Sequence, residues 1–271
     1  MFTAPIVVGV DGSPVGLRAV DLAVREAEIR DRPLQVVFAD TGQPGAESAQ
    51  VVQAALDRIT ARSPVPATGE IVADSPVAAL VQESEHAALI VVGHRGQGGI
   101  PTLALGSVAR NVATHARCPV LVARGAPDAA GPVLVGVHCS PHGDPAVGFA
   151  FEEASLRGAE VVALHAWTGP VCTGAGDMLP LVYDPDVVAA DQARVLAESL
   201  AGWQTKYPDV VVHRRLVCAR PGSALVEASG QAQLVVVGAH GHRAVTGWLI
   251  GSVTHVLLHQ AGCPVAVVRP A

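Results

Sequence analysis

The chain writes one glycine-spaced loop twice, and that repeat constrains its fold more than any other feature of its 271 residues. Gly93-His94-Arg95-Gly96 is followed after nine residues by Gly106-Ser107, and Gly238-Ala239-His240-Gly241 is followed after nine by Gly251-Ser252. Each copy comes directly after a short apolar run, Leu89-Ile90-Val91-Val92 or Leu234-Val235-Val236-Val237, of the kind found in parallel strands buried on both faces. The spacing predicts that each loop leaves the carboxyl end of a strand and that each Gly-Ser opens the next helix. Glycine there permits positive φ and lets backbone N–H groups approach an anion, while unpaired N–H groups and the dipole at a helix start favour phosphate oxygens. Ser107 and Ser252 are expected to cap their helices through Oγ in an empty site and to bond phosphate in a filled one. One such loop is a weak signal, because strand-to-helix turns also use glycine for steric reasons; two in register point to nucleotide.

The repeat holds at constant offsets. Gly9 matches Gly136 and Ser13-Pro14 matches Ser140-Pro141 at 127 residues; Pro76 and Pro221, Gly93 and Gly238, Gly106 and Gly251, and Cys118-Pro119-Val120 and Cys263-Pro264-Val265 match at 145. The 18-residue difference between those offsets marks an insertion in Thr168 to Asp186, expected as a long loop. Two domains follow, residues 1–125 and 131–271, joined by a Gly-, Pro- and Ala-rich linker at 125–132.

Within the first half, Ile6 to Val10 reads as a strand, and Ser13-Pro14 as N-cap and first residue of a helix striped by Val20, Ala23, Val24 and Ala27. Val147, Ala150, Phe151 and Ala154 repeat that stripe. Further strands are expected at 34–39, 68–73, 89–92 and 120–123, alternating with helices at 47–62, from Ser75-Pro76 and from Ser107. Such alternation means a parallel, doubly wound sheet with helices on both faces, whose ligands sit beyond the carboxyl ends of the strands where strand order reverses. Asp11 ends the first strand there. It has two readings of equal weight, as acceptor for a base amino group or ribose hydroxyl, and as cap of the turn before the first helix. Its counterpart, His138, brings no pair of acceptor oxygens, so the second site is expected to be weaker or altered.

Composition narrows the classes. Half the residues are hydrophobic, yet no apolar run approaches the ~20 residues that span a bilayer, and no basic start precedes an apolar core, so a cytoplasmic protein is expected. A net charge of −6 argues against a general nucleic-acid binder, leaving room for a local basic groove. The five cysteines (118, 139, 172, 218, 263) lack Cys-x-x-Cys spacing and fit a reducing compartment. Lys206 is the sole lysine, so the Gly-x-x-x-x-Gly-Lys-Ser/Thr phosphate loop is absent, and Pro101 stands where a dinucleotide fingerprint needs its third glycine. His255, His259 and Cys263 have the i, i+4, i+8 spacing of metal ligands, but histidines near helix-terminal carbonyls are the favoured explanation. His94, Arg95, His240, His242 and Arg243 are either phosphate partners or solvent-facing loop residues. Trp167, Trp203 and Trp248 read as packing residues.

The Val-Gly-Val-Asp-Gly-Ser start, the Gly-x-x-Gly-nine-Gly-Ser loop and the Cys-Pro-Val ending together resemble the ATP-binding branch of the universal stress protein family, in its tandem form, over nearly the whole chain. The resemblance implies a five-stranded sheet of order 3-2-1-4-5 in each half, and pairing of the halves through their last strands. It implies ATP, with Mg²⁺ on its phosphates, held in the first half by Asp11, Ala39, Gly93, Gly96, Gly106, Ser107 and Val108, to which the loop adds Arg95. The second site would comprise Gly238, Gly241, Gly251, Ser252 and Val253, with Ala166 near the base and His138 in place of the aspartate. It also implies a regulator of stress adaptation or growth with little or no turnover and an unidentified regulatory protein partner; with the last strands paired within the chain, two such chains are expected to associate further into a homodimer. A slow Mg²⁺-dependent ATPase or nucleotidyl transferase, and a nucleotide-free scaffold, are the alternative readings.

Overall fold

The computed structural model describes residues 4–42, 45–96, 105–125, 130–138, 145–168, 185–239 and 250–269. In the first half β1 (Ile6–Val10), α1 (Pro14–Arg30), β2 (Leu34–Ala39), α2 (Ala46–Thr60), β3 (Ala67–Val72), α3 (Pro76–Glu83), β4 (Leu89–Gly93), α4 (Ser107–His115) and β5 (Val120–Ala123) follow in order. The second half repeats the series as β6 (Val133–Gly136), α5 (Pro145–Arg157), β7 (Val161–Trp167), α6 (Pro185–Lys206), β8 (Val212–Cys218), α7 (Pro221–Ser229), β9 (Leu234–Gly238), α8 (Ser252–Gln260) and β10 (Val265–Val268). Most of the 18-residue insertion, and with it Ser140-Pro141, Cys139, Cys172 and Trp248, lies outside the described residues.

All ten strands form one sheet in the order β3-β2-β1-β4-β5-β10-β9-β6-β7-β8, so each half has the expected 3-2-1-4-5 arrangement. Pairing is parallel within each half and antiparallel at the seam, where Val122 faces Val265 and Val120 faces Val267. The seam removes both last strands from solvent, as the pairing of halves required. The outermost strands β3 and β8 are left as edges, and they carry Glu70, His213, Arg214 and Arg215, which oppose edge-to-edge aggregation.

Side chains alternate across this sheet. Ile6, Val8 and Val10 point to the face covered by α1, α2, α5 and α6, whereas Val7 belongs to the opposite core under α3, α4, α7 and α8. The predicted stripes are the buried faces of α1 and α5: Val20, Ala23, Ala27, Val147, Ala150, Phe151 and Ala154 are fully enclosed. Ser13 and Ser75 cap as expected, accepting from Gly16 N at 3.0 Å and Ala78 N at 3.3 Å, each with proline as the first helical residue. Trp203 packs on Phe151 with ring centroids 6.4 Å apart and lies over Gly148, where a Cβ would come within 2.4 Å of the indole.

Charge also crosses the two halves. Glu26 and Arg30 of α1 meet Glu153 and Arg157 of α5 in a ring of four ion pairs, with Arg157 Nη2 2.6 Å from Glu26 and Arg157 Nη1 2.7 Å from Glu153, while Arg30 bonds both glutamates. All four side chains are almost completely buried. Arg124, just after β5, reaches across the seam to the last turn of α8, donating to Ala261 O at 3.0 Å, Leu258 O at 3.1 Å and His259 O. It supplies donors to carbonyls that the helix leaves unpaired.

Candidate functional site

The strand-order reversal lies between β1 and β4, and at its carboxyl end a cavity of about 440 Å³ opens. All eight residues expected in the first half line it: Asp11, Ala39, Gly93, Arg95, Gly96, Gly106, Ser107 and Val108. The remaining wall is mainly apolar, from Val10, Val37, Phe38, Pro76 and Leu80. Leu80 reaches this wall because β1 has glycine at position 9; a Cβ there would sit 2.8 Å from a Leu80 methyl, and Gly136 has the same relation to Leu225 at 2.9 Å. The apolar positions were missed in the sequence because their hydrophobicity is indistinguishable from that of core residues.

At the polar end, β4 delivers His94 and Arg95, and Gly106 N donates to His94 O at 2.7 Å, closing the loop onto the start of α4. Asp11 keeps both of its readings: Oδ1 accepts from Ser13 N at 3.0 Å, and the carboxylate lines the cavity. Its oxygens are pressed between glycines, since a Cβ at Gly96 would lie 2.4 Å from Oδ2 and one at Gly16 2.7 Å from Oδ1. The space between loop and carboxylate therefore depends on glycine having no side chain.

One expectation is corrected. Ser107 does not cap α4: the N-cap is Gly106, extended at φ −76 and ψ 153, with no side-chain cap, and Gly251 plays the same part for α8. Glycine takes the non-helical position, so each serine falls one residue inside its helix, where its Oγ is poorly placed to bond the first-turn N–H groups. Those donors have no side-chain cap at the cavity, which suits an incoming anion.

His94 and Arg95 separate into different roles. Arg95 lines the cavity, whereas the His94 ring turns away, with Nδ1 2.9 Å from Ala123 O. Burial holds the His94 imidazole below the usual histidine range; the Ala123 carbonyl opposes this, and Arg124, Arg95 and Arg18 add to it. Of these arginines, Arg95 lines the cavity.

The second half reproduces the scaffold with changed side chains. Gly251 N donates to Ala239 O at 2.8 Å, as its counterpart does in the first loop. However, Thr254 Oγ1 donates to Gly238 O at 2.7 Å, where the first half has Ala109 in the cavity wall. His138 follows the β6 strand, and His165 on β7 bonds Val137 O at 3.0 Å and Gln192 at 2.7 Å. His165 and Gln192 had no sequence signal, because they meet only through the packing of α6 on β7. Ala166 is half-buried, Gly238 ends β9, and Ser252 and Val253 begin α8. Gly241, His240, His242 and Arg243 lie outside the described residues.

Among the described residues the cavity wall offers one carboxylate, Asp11, so the donors to a divalent cation described there are few, and Mg²⁺ would be carried chiefly by phosphate oxygens. The three residues with metal-ligand spacing do not converge: the His255 and His259 rings lie 4.5 Å apart, while Cys263 is packed in the core with its thiol pushed up to about 12 by burial. Cys118 is likewise pushed up to about 11.

Comparison with known proteins gives a consistent result. The sequence model of the universal stress protein family matches residues 3–124 and 130–269. A universal stress protein of Mycobacterium tuberculosis is 38% identical over 289 residues, covering 97% of this chain and 96% of the relative. The crystal structure of a universal stress protein from Archaeoglobus fulgidus superposes with a TM-score of 0.67 at 20% identity, covering 98% of this chain and 96% of that one, a likeness of fold. A universal stress protein solved in complex with cAMP matches 44% of this chain and 94% of its own, at 35% identity and a TM-score of 0.38.

Proposed function

We propose, from the premise that this chain belongs to the universal stress protein family, that it is an ATP-binding regulator of stress adaptation or growth with little or no turnover. The observation that carries this reading is the cavity at the β1/β4 reversal, about 440 Å³, apolar at one end and lined at the other by glycine backbone, Arg95 and the start of α4. Its size falls in the usual range for small-molecule sites. The apolar wall takes the base, Asp11 accepts from a base amino group or ribose hydroxyl, and N–H groups of Gly96, Ser107 and Val108 with the Arg95 guanidinium take the phosphates. When bound, Mg²⁺ neutralises part of the phosphate charge. Asp11, the one carboxylate in the wall among the described residues, is held there by the Ser13 N–H that its Oδ1 accepts.

The first half is the working site in this reading. The second keeps the glycine N-cap of α8 but substitutes His138 for the acid and carries the Thr254 hydroxyl at the cradle. Isothermal titration of Mg²⁺-ATP into nucleotide-stripped protein tests it. The expected result is a stoichiometry near one, weakened about fivefold to tenfold by Ser107→Ala and unaffected by Ser252→Ala, with no ADP release above the uncatalysed rate. Absence of saturable binding sinks the nucleotide reading, and steady ADP release abolished by Gly106→Ala replaces it with an ATPase.

A further inference from the structure

The segments 105–125 and 250–269 contain Arg110, His115, Arg117, Arg124, His255, His259 and Arg269 without a single aspartate or glutamate, in a chain whose formal net charge is −6. Topology brings these two stretches together. Helices α4 and α8 cover the same face of the sheet on either side of the β5–β10 seam. Arg110, Arg117 and His255 are exposed, and among the described residues no ion pair includes them.

Away from the seam, Arg58 and Arg62 are matched to Asp21, Arg194 to Asp191 and Glu198, and Arg30 and Arg157 lie within the buried ring. At the seam the cations face one another. His255, Arg124 and Arg110 add to burial in holding the His259 imidazole down, and Arg117 does the same to Arg269. The carboxylates of flanking helices do not relieve this. Glu83 on α3 is bonded by Gln35 at 3.2 Å, and Glu227 on α7 is exposed and makes no ion pair among the described residues. Exposed like charges held close together, as Arg110, Arg117 and His255 are here, cost stability and attract an external anion.

We propose that the α4–α8 face at the seam docks an acidic peptide segment of a partner protein. The patch is short, because each helix has nine residues and so spans about 13 Å. A long polyanion such as nucleic acid would run from it onto a surface of net negative charge, whereas a short acidic segment fits within it. This surface goes beyond the nucleotide reading and does not depend on it.

The test uses the full-length protein and a fluorescent glutamate-rich peptide of about ten residues, followed by anisotropy at about 0.15 M salt. Saturable binding is expected, with affinity reduced about tenfold or more by Arg110→Glu together with Arg117→Glu. Arg214→Glu with Arg215→Glu, an equal charge change on the β8 edge, is expected to leave it unchanged. Arg110→Lys with Arg117→Lys retains binding and guards against a folding defect in the reversed pair. The proposal is overturned if the wild type does not bind, if both reversed pairs lose affinity equally, or if single-stranded RNA of equal charge binds more tightly than the peptide.

Discussion

A methyl group at Gly96 would stand 2.4 Å from Asp11 Oδ2, so this one position decides whether loop and carboxylate can share the mouth of the cavity. Gly96→Ala is therefore expected to lower ATP affinity about tenfold, with a shift in melting temperature of no more than about 2 °C because Gly96 is exposed. Equal affinity for ATP in calorimetry would contradict the placement of Asp11. His94 makes a different prediction, about pH. Its folded-state pKa is depressed below the unfolded histidine value of about 6.5, so the unfolded chain binds more protons in the window between the two. Stability contributed by neutral His94 is present above pH 6.5 and is lost as pH falls through the folded value; His259, also depressed, acts in the same direction. Melting temperature should fall on acidification from about pH 7.5 to 5.5, and less steeply in His94→Gln, which keeps an N–H donor for Ala123 O. An unchanged slope would remove His94 from the account. Asp11, Arg95 and the glycines were legible in the sequence because their spacing is tied to a strand end. The different orientations of His94 and Arg95 were not, since adjacent loop residues point by tertiary contact.

At the scale of elements, α1 and α5 show how a repeat can hide an interface. Glu26 and Glu153, and Arg30 and Arg157, are each 127 residues apart, the offset already established by Gly9 and Gly136. Each pair falls one turn apart and reads alone as an exposed i, i+4 ion pair. Only the meeting of the two helices makes it a buried ring. Breaking such a ring leaves a charge without its partner, so Glu153→Ala should cost about 3–5 kcal/mol, measured by urea unfolding. Replacing all four residues with apolar side chains of similar volume should be close to neutral. A cost below about 1 kcal/mol for Glu153→Ala would show that water reaches the ring. Helix starts were more legible: Ser13 and Ser75 cap where Ser-Pro predicted, while Gly106 displaced Ser107 because the extended N-cap conformation came one residue earlier.

For the whole molecule, the seam makes two repeats into one ten-stranded sheet. Shared strands, the buried ring and Arg124 on α8 all couple the halves, so calorimetry should show a single unfolding transition, and two resolved transitions would show that the seam adds little coupling. Gly125 marks the exit from this seam at φ +60, and a Cβ there would stand 1.9 Å from Gly262 O. Gly125→Ala should therefore cost at least about 1–3 kcal/mol, and a melting curve like that of wild type would refute the close approach. Duplication, strand-helix alternation and the position of the first cradle were determined by the sequence alone, because buried strands, helix stripes and backbone-lined turns impose local spacing on residue types. Tertiary structure decided the closure of four charges between α1 and α5, the apolar wall and the basic face. Those features depend on which residues become neighbours across the sheet, and identical local patterns are compatible with many such pairings.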